Sequence, residues 1–182
     1  MSSRRQTVQD EEKSRFVIES STGFPPVARH DARILILGSL PGQRSLQAAQ
    51  YYAHPQNAFW RIMQELTGAE GPYQKRCDAL VGYGIALWDV LAESVRPGSM
   101  DVDIQLESAE ANDFAEFLAE HREIGLICFN GQKAATLFRQ IVVLDDSAMA
   151  RRHETLPSTS PAFASMPYAE KLNRWRSVIV GS

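Results

Sequence analysis

The sequence predicts an α/β fold: three layers, α/β/α, around a mainly parallel central sheet of four strands. Three observations carry this. Ile34, Leu35, Ile36 and Leu37 form an unbroken apolar run closed by Gly38, the pattern of a strand buried on both faces. Short apolar strand-like runs at 85–88 and 124–129, with a fourth strand fitting near 153–156, alternate with segments of helical period, and such alternation calls for parallel strands with helical crossovers. The 182 residues, 44% of them hydrophobic and 23% charged, suffice for one core covered on both sides.

Taken in order, residues 1–25 read as a flexible polar N-terminal tail and 26–182 as one domain. The opening MSSRRQTVQDEEKSR has no apolar core for a secretion signal, and Gly23, Pro25 and Pro26 mark loop or extended chain. Order begins at Arg33. A helix is expected over 59–66, with Phe59, Ile62, Met63 and Leu66 on one face and Gly68 as its stop. A second is expected over 74–81, before the strand at 85–88. The next helix is placed at 108–121, with Phe114, Phe117 and Leu118 as its stripe. The strand at 124–129 ends on Asn130-Gly131, and a helix over 133–142 carries Ala134, Leu137, Phe138 and Ile141. The last helix spans 167–180, with Pro167 in its first turn.

Right-handed crossovers align the carboxyl ends of parallel strands along one edge, where ligands bind in such folds. Gly38-Ser39-Leu40-Pro41-Gly42 follows the first strand and Asp89 the second; Asn130-Gly131 follows the third and Pro157-Ser158-Thr159-Ser160-Pro161 the fourth. The most polar and irregular loops therefore converge on one rim.

Composition narrows the function classes. No apolar run approaches the roughly 18–20 residues of a membrane helix, and a cytoplasmic location is expected. Cys77 and Cys128 lie far apart and read as reduced packing residues. Two cysteines and four histidines do not furnish a structural zinc or iron–sulfur site, so neither metal nor other cofactor is expected. The net charge of −3 weighs against nucleic-acid binding by bulk attraction, though a local cationic face suffices to grip a few phosphates. Arg44 and the cluster Arg151, Arg152, His153 are candidates for that face; the same residues serve equally as solvated charges.

The densest chemistry lies between Gly38 and Trp60. Gly-x-x-Pro-Gly after a strand makes a tight turn whose N–H groups can face an anion or carbonyl. Tyr51, Tyr52, His54, Pro55, Gln56 and Asn57 follow, directly before the helix opened by Phe59 and Trp60. Asn57 stands where a helix cap stands, and the tyrosines suit a half-buried core as well as a ligand. A serine-hydrolase reading fails, because GSLPG is not the Gly-x-Ser-x-Gly elbow.

The segment GSLPG…YYAHPQNAFW resembles motif one of the uracil-DNA glycosylase superfamily, most of all its hypoxanthine-DNA glycosylase branch. Its HP-x-N-x-FW element is also similar to that of the mismatch-specific uracil/thymine glycosylases. Leu156-Pro157-Ser158-Thr159-Ser160-Pro161 resembles motif two. The resemblance spans residues from about 30 to about 180 and implies a glycosylase of base-excision repair. Its substrate would be DNA containing a deaminated base, with no membrane and no obligatory protein partner; a monomer suffices.

In the mismatch-specific relatives an Asn before the Pro-Gly of the first loop positions the attacking water. Leu40 occupies that position here, so the resemblance passes the catalytic amide to Asn57, with His54 as a candidate general acid or a structural residue of the turn. It makes Tyr52 the stacking platform for the flipped base and places Asp89 where the uracil-specific enzymes read the base edge. An ionised Asp only accepts: it can take an N–H from a purine lactam or from uracil N3 but cannot also donate to a carbonyl, which counts against classical pyrimidine reading and leans towards hypoxanthine. Ser39, Leu40 and Gly42 complete the expected base pocket. Asn130 is either a further base contact or an ordinary turn residue. Ser158, Thr159, Ser160, Pro161 and Ala162 are expected in the minor groove of the DNA, with Arg44 and Arg152 on phosphates. No Lys falls within the motifs, which implies a monofunctional enzyme without Schiff-base chemistry. A uracil- or thymine-specific enzyme and a non-catalytic lesion-binding protein are the rivals.

Overall fold

The structure is a computed structural model and describes residues 20–95 and 104–181. Most of the expected tail, 1–19, lies outside the described residues. The elements begin with β1 (Ser20–Thr22), β2 (Ile34–Gly38), α1 (Gln43–Ala48), α2 (Phe59–Thr67) and α3 (Tyr73–Tyr83). They continue through β3 (Ile85–Asp89), β4 (Leu91–Val95), β5 (Glu110–Ala111) and α4 (Phe114–Glu120). The chain ends with β6 (Leu126–Asn130), α5 (Gln132–Ile141), α6 (Asp146–Met149), β7 (Arg152–Leu156) and α7 (Tyr168–Ile179).

The central sheet has the order β3-β2-β6-β7 and is parallel throughout, with Ile34 opposite both Ile85 and Leu126, and Leu126 opposite Arg152. Every residue of β2 is buried, and its side chains alternate between the two faces of the sheet as a pleated strand requires. Leu35 and Leu37 join Phe114, Phe117, Leu137 and Phe138 on the α4/α5 face. Ile34 and Ile36 join Phe59, Ile62, Met63, Leu80 and Trp175 on the opposite face, under α2, α3 and α7. Each such large side chain, taken wholly out of water, stabilises the fold by about 1.5–3 kcal/mol relative to exposure. Among the described residues no helix is long and apolar enough to cross a membrane.

Two expectations fail here. Residues 20–22 do not belong to a free tail: β1 pairs antiparallel with β4, and β5 completes a second, three-stranded sheet. The expected helix 108–121 starts only at Phe114. Asn112 is held by donating its side-chain amide to the Asp89 carbonyl at 2.8 Å, and Asp113 caps the helix by accepting from the Glu116 N–H at 2.9 Å. A tertiary contact and a local cap thus override the helical period upstream.

All three tryptophans fasten a loop. Trp60 Nε1 donates to the Tyr51 carbonyl at 2.8 Å, Trp88 Nε1 to Phe24 at 3.0 Å and Trp175 Nε1 to Pro157 at 2.9 Å. Each indole packs its rings against the apolar core while its N–H satisfies a carbonyl outside regular structure.

Candidate active site

The carboxyl ends of β2, β3 and β6 and the loop after β7 enclose a cleft of about 600 Å³, within the range of small-ligand pockets. Its floor is the end of β2. A Cβ added at Gly38 would collide with Asp89 Oδ1 and stand 3.0 Å from the Tyr52 hydroxyl, so glycine is required where these two side chains close over the strand. Asp89 is only 3% exposed and ends β3. Ser39, Leu40 and Gly42 line one wall, and Leu40 is at the same time part of the α4/α5-face core.

The segment 51–57 is anchored at its start by distant partners and turned at its end by local hydrogen bonds. Tyr51 is buried, donates its hydroxyl to the Pro25 carbonyl at 3.2 Å and its N–H to the Tyr73 hydroxyl at 3.1 Å. Burial foremost, then the charge of Asp89, pushes the Tyr51 hydroxyl far above the usual tyrosine range, so it stays a donor. Tyr52 has φ +54, a left-handed conformation that costs a side-chain-bearing residue about 1–2 kcal/mol. Its ring stacks on Phe59 with centroids 4.0 Å apart, and the half-buried Tyr52 also lines the cleft. His54 accepts the Gln56 N–H on Nδ1 at 3.2 Å, which puts the proton of the neutral ring on Nε2. Asn57 Oδ1 accepts the Phe59 N–H at 3.0 Å, an Asx turn that starts α2 with the amide at the cleft.

The second loop is held from outside. Asn130 and Thr159 form a two-bond clasp: Asn130 Nδ2 donates to Thr159 Oγ1 at 2.8 Å and accepts the Thr159 N–H on Oδ1 at 2.9 Å. The Thr159 carbonyl then accepts the Ala58 N–H at 3.0 Å, tying this loop to the residue after Asn57. Beyond it, Ser158 Oγ accepts the Ser160 N–H and Ser160 Oγ the Ala162 N–H, both at 3.2 Å. Gly131, at φ +98, lets the loop pass: a Cβ there would lie 2.9 Å from Ser158 Cβ.

The expected site residues Ser39, Leu40, Gly42, Arg44, Tyr52, His54, Asn57, Asp89 and Asn130 all line this cleft, together with 158–162. Within that set, Thr159 is 1% exposed and directed inward, so its hydroxyl serves the loop and is not offered to phosphate. Arg152 is not brought to the cleft. It starts β7, at the opposite edge of the parallel sheet, and pairs with Glu154 at 2.8 Å. Its neighbours go with it: Arg151 donates to the Ile124 carbonyl, and His153 lies edge-on between Phe129 and Phe138. Four residues were not singled out from the sequence, Gln43 among them. Ser45, Lys133 and Phe163 also line the cleft, and Ser45 accepts the Ala53 N–H at 3.2 Å. Lys133 had a legible signal, since it stands in the first turn of the helix that follows Asn130-Gly131.

Chemically, the cleft offers an amide, a buried carboxylate, a stacking ring, a histidine and the main-chain amides of a tight turn. That set suits neutral recognition and charge stabilisation better than strong base catalysis.

Comparison with known proteins agrees with this geometry. The family model of the uracil DNA glycosylase superfamily matches residues 25–179. The hypoxanthine DNA glycosylase of Methanosarcina barkeri (strain Fusaro / DSM 804) is 42% identical over 115 residues, which are 62% of this chain and 72% of the relative. The hypoxanthine DNA glycosylase of Methanosarcina acetivorans matches with the same identity and coverage. A chain from Methanosarcina acetivorans, solved by solution NMR as a candidate uracil DNA glycosylase, superposes with a TM-score of 0.72 at 34% identity. The superposition covers 88% of this chain and 97% of that one. The chain belongs to the uracil DNA glycosylase superfamily.

Proposed function

We propose that this chain is a monofunctional DNA glycosylase of base-excision repair that hydrolyses the N-glycosidic bond of a flipped deaminated base, hypoxanthine by preference. The observation that carries the reading is the meeting of Asn57, Tyr52 and Asp89 in one cleft beside the Ser158–Ala162 loop. The names of the two curated relatives support the choice of base. The enzyme works as a cytoplasmic monomer without an obligatory protein partner.

Extruding a nucleotide costs a few kcal/mol, less when the base is mispaired. Stacking on Tyr52 offsets about 1–3 kcal/mol of it. Asp89 accepts the lactam N–H of the base. Asn57 orients a water molecule whose oxygen bonds to C1′ as the C1′–N bond breaks and its electron pair leaves with the base. The proton of that water goes to the departing base or to solvent, since an amide is no base. Main-chain N–H groups of the 39–42 turn stabilise the anionic base, the logic of an oxyanion hole. His54 Nε2–H is placed to assist as a donor. Pro161 and Ala162 wedge the duplex, while Ser158, Ser160 and Arg44 take flanking phosphates.

Uracil is the second reading, because Asp89 accepts its N3–H equally well. Single-turnover cleavage of duplexes carrying inosine, uracil, or thymine opposite guanine decides between them. Inosine is expected to be cut fastest, with Asn57→Ala slower by about 100–1000-fold. Because Lys133 lines the cleft, borohydride is added in a parallel reaction; a trapped covalent complex would sink the monofunctional reading. No cleavage of any base by folded protein would leave a lesion-binding protein.

A further inference from the structure

A second groove, of about 470 Å³, runs along the other side of the 158–163 loop. It shares Asn57, Thr159, Ser160, Pro161 and Phe163 with the first cleft, so the two are separated only by the loop. Two cations line it. Lys171 is 6% exposed, and its ammonium, which has three donors, gives one to the Phe163 carbonyl at 2.6 Å. Burial lowers its pKa from the usual lysine value, and a neighbouring anion would offset that cost. The Arg61 guanidinium carbon sits over the Tyr168 ring, 3.7 Å from its centroid, and Arg61 makes no hydrogen bond or ion pair among the described residues. The nearby carboxylate of Glu65 is taken up by the Tyr168 hydroxyl and Arg176. Tyr168 and Lys171 belong to the first turn of the twelve-residue α7, whose N-terminal dipole adds positive potential to the same groove.

From these features we infer that the second groove is a phosphate site for the DNA strand whose base enters the cleft, with Arg61 and Lys171 as its ligands. A strand delivering a nucleotide on one side of the loop must carry its neighbouring phosphate past the other side, where these two cations stand. Charge complementarity fixes the occupant: a stacked guanidinium and a buried ammonium match phosphate oxygens. The groove also explains how a chain of net charge −3 holds DNA, through a local grip on the far side of the loop from Arg44.

The inference rests on the glycosylase reading, and salt titration separates the two. Binding to undamaged and inosine-containing duplexes is measured from low to moderate salt, and wild-type cleavage is assayed separately. Each lost phosphate contact makes the slope of log K against log salt shallower by about 0.9. Arg61→Gln is expected to lose that amount on both duplexes, and Arg61→Lys to keep most of the wild-type slope. Lys171→Gln should lose a similar increment; if it fails to fold, the exposed Arg61 pair decides alone. An unchanged slope in Arg61→Gln, or an equal loss in Arg61→Lys, overturns the site. Failure of the wild type to cleave overturns the glycosylase reading instead and leaves the slopes readable.

Discussion

Asn57 and Asn130 stand on the same rim, yet the segments that carry them are held in opposite ways. The turn that carries Asn57 holds itself: its Asx turn, the His54 turn and the Tyr52–Phe59 stack all join residues close in sequence. Asn130 spends its amide across the cleft, on a threonine 29 residues later, and so fixes a loop with no regular structure of its own. A self-supporting segment leaves the rest of its functional side chain available to a substrate. A bridging one gives that capacity to the fold. Two identical residue types on one rim therefore have different work, and the contrast predicts different phenotypes.

The largest expected difference is between the two alanine variants. Asn57→Ala should lose the cleavage step by about two to three orders of magnitude. Its stability should fall by only about 1 kcal/mol, the worth of one side-chain bond at a helix start. Asn130→Ala should reverse the pattern, with a milder effect on cleavage and a loss of about 1–3 kcal/mol in denaturant unfolding, because Thr159 is left buried without its partner. Equal stability losses in the two variants would dissolve the comparison. Thr159→Val sharpens it: the shape survives, the hydroxyl does not, and a similar destabilisation is expected. Next in size is Gly131→Ala, where a left-handed φ and the approach to Ser158 together should cost about 1–2 kcal/mol.

The smallest effect is a pH dependence beneath the bridging segment. Burial first, then the charge of Arg139, lowers the His153 pKa from the usual imidazole value. The unfolded chain therefore takes up this proton before the folded one, and protonation favours unfolding. Stability from this group is complete above about pH 6.5 and declines as pH falls from there to the folded-state value. Melting temperatures of wild type and His153→Gln across that window should converge at low pH; parallel curves would clear His153 of the role.

What the sequence made legible follows the range of the interactions. β2 was readable because a strand buried on both faces must be apolar at every position, whatever packs against it. The turn at 54–57 was readable because its hydrogen bonds are local, whereas the ties of Tyr51 to Pro25 and Tyr73 were not. The early start assigned to α4 was wrong because Asn112 answers to Asp89, far away in the chain. The strand at 20–22 was missed for the same reason, its partner being β4. Thr159 looked like a rim hydroxyl and Arg152 like a phosphate ligand because a sequence shows neither which way a loop residue turns nor which edge of a parallel sheet a residue ends on.

The three indole latches have a spectroscopic consequence. Trp60, Trp88 and Trp175 are all the tryptophans of the chain, and each is bonded to a carbonyl of a segment that borders or supports the cleft. No indole elsewhere dilutes their emission. If DNA engages the 157–163 loop as proposed, Trp175 is expected to feel it through the Pro157 carbonyl, and a change in intrinsic fluorescence on adding duplex would report the engagement without any label.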